Sequence, residues 1–123
     1  MIKEGAVFVC ETTVGGDNLA VAMGSGDMEV FATPAMVALM ERAAKEAVAA
    51  GLPAESTTVG TRIEVSHLRA TPPGALVTAR ATLAQVDGRR LTFRVEAHDP
   101  RGLVGEGSHE RFIVDRERFL AKL

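Results

Sequence analysis

Apolar positions recur along this chain with two periods, and the change from one to the other sets out its architecture. Between Thr33 and about Ala49, Met36, Leu39, Met40, Ala43, Ala44 and Ala47 return at intervals of three and four, with Arg42, Lys45 and Glu46 opposite. That is the 3.6-residue repeat of an amphipathic helix. Thr33-Pro34 marks its start, because a threonine hydroxyl can accept from a free backbone N–H and proline is tolerated in the first turn. Gly51 and Pro53 stop it, giving a helix of about 17 residues, or roughly 25 Å.

Elsewhere the period is two. Ala6 to Val14, rich in Val, Phe and Thr, reads as a strand closed by Gly15-Gly16, and "DNLAVAMGSGDMEVF" as a short apolar run and then a polar loop into the helix. In "TTVGTRIEVSHL", alternation puts Val59, Thr61, Ile63, Val65 and His67 on one face and Gly60, Arg62, Glu64 and Ser66 on the other. "ALVTARATLAQVDGRRLTFRVEAHD" is a hairpin signal around Asp87-Gly88. A three-residue connection there matches the faces, pairing Leu83 with Phe93 and Arg80 with Glu96, whereas a two-residue loop mixes them. Asp99 to Gly102 is a second turn, and "LVGEGSHERFIVD" is a last strand in which Gly105 and Gly107 mark a bulge or a close approach.

One strand, one long helix and four antiparallel strands make an α+β fold, a sheet layered on a helix. A single helix cannot cover both faces of such a sheet, so surface is left for a homo-oligomer interface. The length of 123 residues fits one domain, 1–123, with one core. A net charge of -2 offers no basic field for nucleic acid or an anionic membrane. Cys10 is the only cysteine, which excludes an intrachain disulfide and fits a reducing compartment. No stretch reads as a signal peptide or membrane span, so a cytoplasmic protein is expected. Glycine-rich nucleotide loops and the HExxH zinc signature do not occur.

Several residues carry candidate chemistry. Glu41 lies beside Val37, Ala44 and Val48 at the margin of the helix's apolar face, where partial burial makes a carboxylate a stronger base. The alternative is a boundary glutamate paired with Arg42 or Lys45, or wet at an oligomer edge. The hydroxyl of Thr33 either caps the helix or does chemistry. His67 ends an apolar row and can move a proton near neutral pH. Gly60 is either a bulge or a place where a ligand approaches the backbone, and Arg111, on one face with His109 and Ile113, suits a carboxylate, carbonyl or phosphate. His98 and His109 have no metal partners at useful spacing and read as surface or structural, and Cys10 as packed.

The strings "FATPAMVALMERAA", "TTVGTRIEVSHLRATPPG", "VDGRRLTFRVEAHD" and "GEGSHERFIV" together resemble the fluoroacetyl-CoA thioesterase-like branch of the hot-dog acyl-CoA thioesterases. The resemblance covers nearly the whole chain from Phe31 onward. It implies a hot-dog fold, an antiparallel sheet of about five strands wrapped around one long helix, working as a homodimer or higher oligomer. It further implies hydrolysis of a small acyl-CoA thioester with no metal or redox cofactor. Thr33, Glu41 and His67 would be the catalytic group, Gly60 and Arg111 would line the site, and either Thr33 or Glu41 would attack. The branch's aromatics before the helix are missing from "GSGDMEVF", which holds only Phe31, so fluorine selectivity is not implied with them. A hydratase or dehydratase, and a non-catalytic acyl-CoA-binding module, are the competing readings on the same fold.

Overall fold

Helix α2 (Thr33–Ala49) in the computed structural model, which describes residues 2–123, has the 17 residues its periodicity predicts. It buries Met36, Leu39, Met40, Ala43, Ala44 and Val48. They pack on a five-stranded antiparallel sheet of order β1-β3-β4-β5-β2, formed by β1 (Val7–Thr13), β2 (Ser56–His67), β3 (Leu76–Asp87), β4 (Arg90–Asp99) and β5 (Gly102–Asp115). Every second residue of the central strands turns toward the helix and is buried: Val77, Ala79, Ala81 and Leu83 on β3, and Leu91, Phe93, Val95 and Ala97 on β4. Ala79 and Ala81 at the middle of β3, with Ala97 toward the end of β4, leave room for the helix backbone to approach. No helix among the described residues is long and apolar enough to cross a membrane.

Two bulges change what alternation alone predicts. Leu83 faces Phe93 and Arg80 faces Glu96, as the matched faces require, yet Asp87 pairs directly with Arg90, so the loop is the two-residue one. The extra residue is a bulge between Leu83 and Gln85 rather than a longer turn. A second bulge, between Gly60 and Arg62, reverses the alternation inside β2. Thr58 and Gly60 therefore share the helix-facing side with Ile63, Val65 and His67, which corrects the expected separation of Gly60 from His67. Gly105 marks a close approach, since an added Cβ would lie 2.6 Å from both Met36 Sδ and Ser66 O. Three short elements were not expected: a 3-10 turn at Gly16–Asn18, α1 (Ala20–Met23) and α3 (Arg116–Ala121). Four to six residues complete too few turns for an apolar repeat to emerge.

Beyond β2 the chain is pinned by charge. Arg69 donates from Nη2 to Asp99 Oδ1 at 2.8 Å and from Nη1 to Oδ2 at 3.1 Å, and also reaches the carbonyls of Gly102 and Leu103. Thr71 Oγ1 and the Arg101 N–H donate to the same carboxylate. The side chain of Asp99 is 1% exposed, and its partners, Arg69 foremost, hold its pKa far below the usual 3.8. This clamp fixes the β4–β5 turn against the segment that follows His67.

Asp99→Ala should destabilise the protein by about 3–5 kcal/mol, because it leaves Arg69 half-buried and uncompensated. A depressed native pKa gives stability that is present above the unfolded value of 3.8 and lost as pH falls below it. Urea melts should show the variant's deficit at neutral pH shrinking toward acid; equal midpoints at neutral pH would contradict the clamp.

Candidate active site

The start of α2 decides what Thr33 can do. Met36 N–H donates to the carbonyl of Ala32 at 3.0 Å, so Ala32, with extended backbone, is the N-cap, and it contributes no side-chain cap. Thr33 is the first helical residue, followed by Pro34. Its hydroxyl is not spent on capping, which closes the alternative left by the sequence. It lies 2.7 Å from Nδ1 of His67.

His67 ends β2 opposite Gly105. Burial holds its pKa below 6.5, with the nearby Arg69 backbone offsetting part of the effect, so the ring is neutral at pH 7. Its Nε2 is buried without a hydrogen-bond partner. Buried polar atoms are rarely left so, and an orphan of this kind points to a missing partner. Beside the pair opens a cleft of about 340 Å³ lined by Gly26, Met28, Phe31 and Leu68 among others.

Glu41 lies two turns along α2, about 12 Å from Thr33 by helical rise. Its nearest cation is neither of its helical neighbours: Lys45 pairs with Glu46, while Arg111 Nη1 stands 3.9 Å from Glu41 Oε2. The Glu41 side chain is 41% exposed and that of Arg111 only 8%. Gly60 lies directly under the carboxylate, since a Cβ there would be 3.0 Å from Glu41 Oε2 and 3.4 Å from Arg111 Nη1. Gly60 is thus the close approach and the bulge follows it.

Arg111 is held from behind. Its Nε donates to Thr58 Oγ1 at 2.8 Å, Nη2 to the Thr58 carbonyl at 3.0 Å, and Nη1 to Nε2 of His109 at 3.1 Å. Nδ1 of His109 in turn meets the Arg62 carbonyl at 2.8 Å. His109 is 1% exposed, which sets aside its reading as a surface residue, while the His98 side chain is 43% exposed. The signal for His109 was its alternation with Arg111, which puts both on the helix-facing side of β5.

The structure thus brings together Thr33 with His67, and Glu41 with Gly60 and Arg111. No hydrogen bond or ion pair joins the two groups among the described residues. Cys10 is buried, donates weakly to the Leu39 carbonyl at 3.4 Å, and has its pKa raised by burial, all of which make it unreactive. No three His, Cys, Asp or Glu side chains are grouped to hold a metal ion among the described residues.

Comparison with known proteins bears on this arrangement. The family model for fluoroacetyl-CoA-specific thioesterase matches residues 14–117. The fluoroacetyl-CoA thioesterase of Streptantibioticus cattleyicolor is 50% identical over 95 residues, covering 77% of this chain and 68% of that protein. A solved structure of the fluoroacetyl-CoA thioesterase FlK superposes with a TM-score of 0.92 at 39% identity, covering 99% of this chain and 95% of that one. A thioesterase superfamily member from Thermus thermophilus superposes at 0.90 with 31% identity, covering 99% and 90%.

Because the Thr33 hydroxyl bonds to His67 and does not cap α2, Thr33→Ala should cost about 1 kcal/mol in the wild type and much less in a His67→Ala background. Urea melts of the four proteins decide this, and an equal loss in both backgrounds would assign the hydroxyl to the helix.

Proposed function

The chain belongs to the fluoroacetyl-CoA-specific thioesterase family and is a thioester hydrolase acting on acyl-CoA, and on that premise we propose that Thr33, Glu41 and His67 are its catalytic group. The observation that carries the assignment is the 2.7 Å contact between a hydroxyl free of any capping duty and a neutral histidine whose other nitrogen has no partner. With Thr33 donating to Nδ1, His67 carries its proton on Nε2. The departing sulfur of coenzyme A is the acceptor that this N–H lacks.

Glu41 acts at the carbonyl carbon. As a base it takes a proton from water, whose oxygen then attacks; as a nucleophile its own oxygen attacks, and water releases the acid afterwards. Either course breaks the carbon–sulfur bond; the sulfur leaves as a thiolate that accepts a hydrogen bond from His67 Nε2–H and takes its proton from water, so the imidazole stays neutral. Gly60 keeps the space beside the carboxylate open for the carbonyl. Arg111 Nη1 gives one hydrogen to His109 and has a second to offer the developing oxyanion. These steps use only this chain's side chains and water.

The two groups have to meet across one substrate, and a homodimer gives them a way to do so. β2 is an edge strand of 12 residues, and such an edge readily pairs with another copy. Antiparallel pairing of two β2 strands runs the Gly60 end of one copy toward the His67 end of the other.

The acyl group fits the cleft beside Thr33 and His67. Its rim is the loop Gly24–Val30, where Met28 is the one large apolar side chain below Val30 and is 65% exposed. Without aromatic bulk, this rim favours small acyl chains in general over fluoroacetyl in particular.

Free thiol release from acetyl-, fluoroacetyl-, butyryl- and phenylacetyl-CoA tests the reading. Glu41→Gln should lose a factor on the order of 10² or more in kcat while melting like the wild type, and should sink the assignment if it turns over normally. Because burial keeps His67 neutral, kcat/KM should hold as pH falls to 6.5 and decline only below it.

A further inference from the structure

His109 has been assigned no part in the site, yet its surroundings fix its chemistry completely. A backbone carbonyl can only accept, so at 2.8 Å from the Arg62 carbonyl Nδ1 must carry a proton. A guanidinium can only donate, so Nε2, 3.1 Å from Arg111 Nη1, must offer a lone pair. The ring is therefore a neutral imidazole in one tautomer. Its other neighbours leave no slack: the Phe93 ring of β4 stands 6.2 Å away between centroids, and His109 Cε1 would be 3.3 Å from a Cβ at Gly60.

We infer that His109 is a positioning residue that, through the lone pair on Nε2, aims the Arg111 guanidinium at Glu41 and the space above Gly60. This rests on the hydrolase site proposed above and deepens it. Of the five N–H bonds of Arg111, two go to Thr58 and one to His109, which leaves one on Nη1 and one on Nη2. With Nε and Nη2 of the planar guanidinium held by Thr58, the freedom left is rotation about the line through those two atoms, and the bond to His109 stops that rotation from carrying Nη1 toward or away from the carboxylate. The charged groups facing the ring are Arg111 from β5 and Glu41 from α2, while β2 contributes the Arg62 carbonyl and β4 an apolar ring. Protonation of Nε2 would set two donors and two cations against each other at 3.1 Å, and the burial and cation that oppose it hold the ring's pKa below 6.5.

Two measurements separate this role from ordinary packing. Long-range proton–nitrogen NMR on the wild type should find His109 neutral and protonated on Nδ1 at pH 7 and above. Arg111→Leu should release the tautomer and raise the ring's pKa. A ring that is charged, or protonated on Nε2, in the wild type overturns the inference whether or not the protein turns over any thioester. The second measurement is turnover of whichever acyl-CoA the wild type hydrolyses. His109→Phe keeps the ring and removes the acceptor, and should lower kcat about tenfold with little change in KM; His109→Gln, which restores an acceptor, should recover part of it. Wild-type kcat in a folded His109→Phe protein, or equal losses in both variants tracking equal losses of stability, would overturn the inference. If His109→Phe does not fold, the NMR result decides. Absence of turnover by the wild type counts against the hydrolase reading alone.

Discussion

Helix α2 lies against the sheet through side chains of almost no bulk, and the rest of the structure follows from that closeness. Ala43 and Ala44 on the helix, and Ala79, Ala81 and Ala97 on β3 and β4, have no exposed surface, while larger residues such as Met36, Met40, Leu83 and Phe93 fill the space around them. A helix so near the strands brings its flank within reach of β2 and β5. Glu41 can then stand over Gly60, and Thr33 can touch His67, without long side chains bridging a gap. Gly105 and Gly107 belong to the same economy of volume, since a methyl group at either would collide with the neighbouring strand.

Electrostatics is arranged in two tiers around this contact. The Asp99 clamp satisfies a buried carboxylate completely, and it holds the segment leaving His67 with no evident part in the chemistry. The Thr58–Arg111–His109 chain is satisfied on the inner side and left open on the outer, toward Glu41. A buried cation with one face unspent and a histidine with one nitrogen unpartnered are costly for a fold alone. They are what a site that stabilises developing charge requires.

Much of this was legible in the sequence, and the gaps have physical causes. The extent of α2 followed from its apolar repeat, and the pairing of Leu83 with Phe93 from matching faces. The loop that should have produced that pairing was nonetheless wrong. Ala84 is an unremarkable residue, and nothing in its identity says that a bulge lies there. The same holds at Thr61, whose bulge turned Gly60 inward against the simple alternation. The hydroxyl of Thr33 was left open between capping and chemistry because residue type alone does not reveal which carbonyl the first helical N–H will reach. His109 was set aside for lack of metal partners, although its alternation with Arg111 had already placed it inside. The resemblance to a known family supplied Gly60 and Arg111 as site residues, and the geometry then supplied their neighbours.

The bulge at Thr61 also bears on how such a chain can evolve. A single inserted residue is what lets both halves of β2 look at the helix, so the site depends on the parity of the residue count between Gly60 and His67 as well as on their identities. Substitutions along the solvent face of that strand leave parity untouched, and paired gains or losses preserve it. The gain or loss of one residue would turn either Gly60 or His67 to the wrong side of the sheet at a stroke. Within this strand, composition is free to drift while length is not.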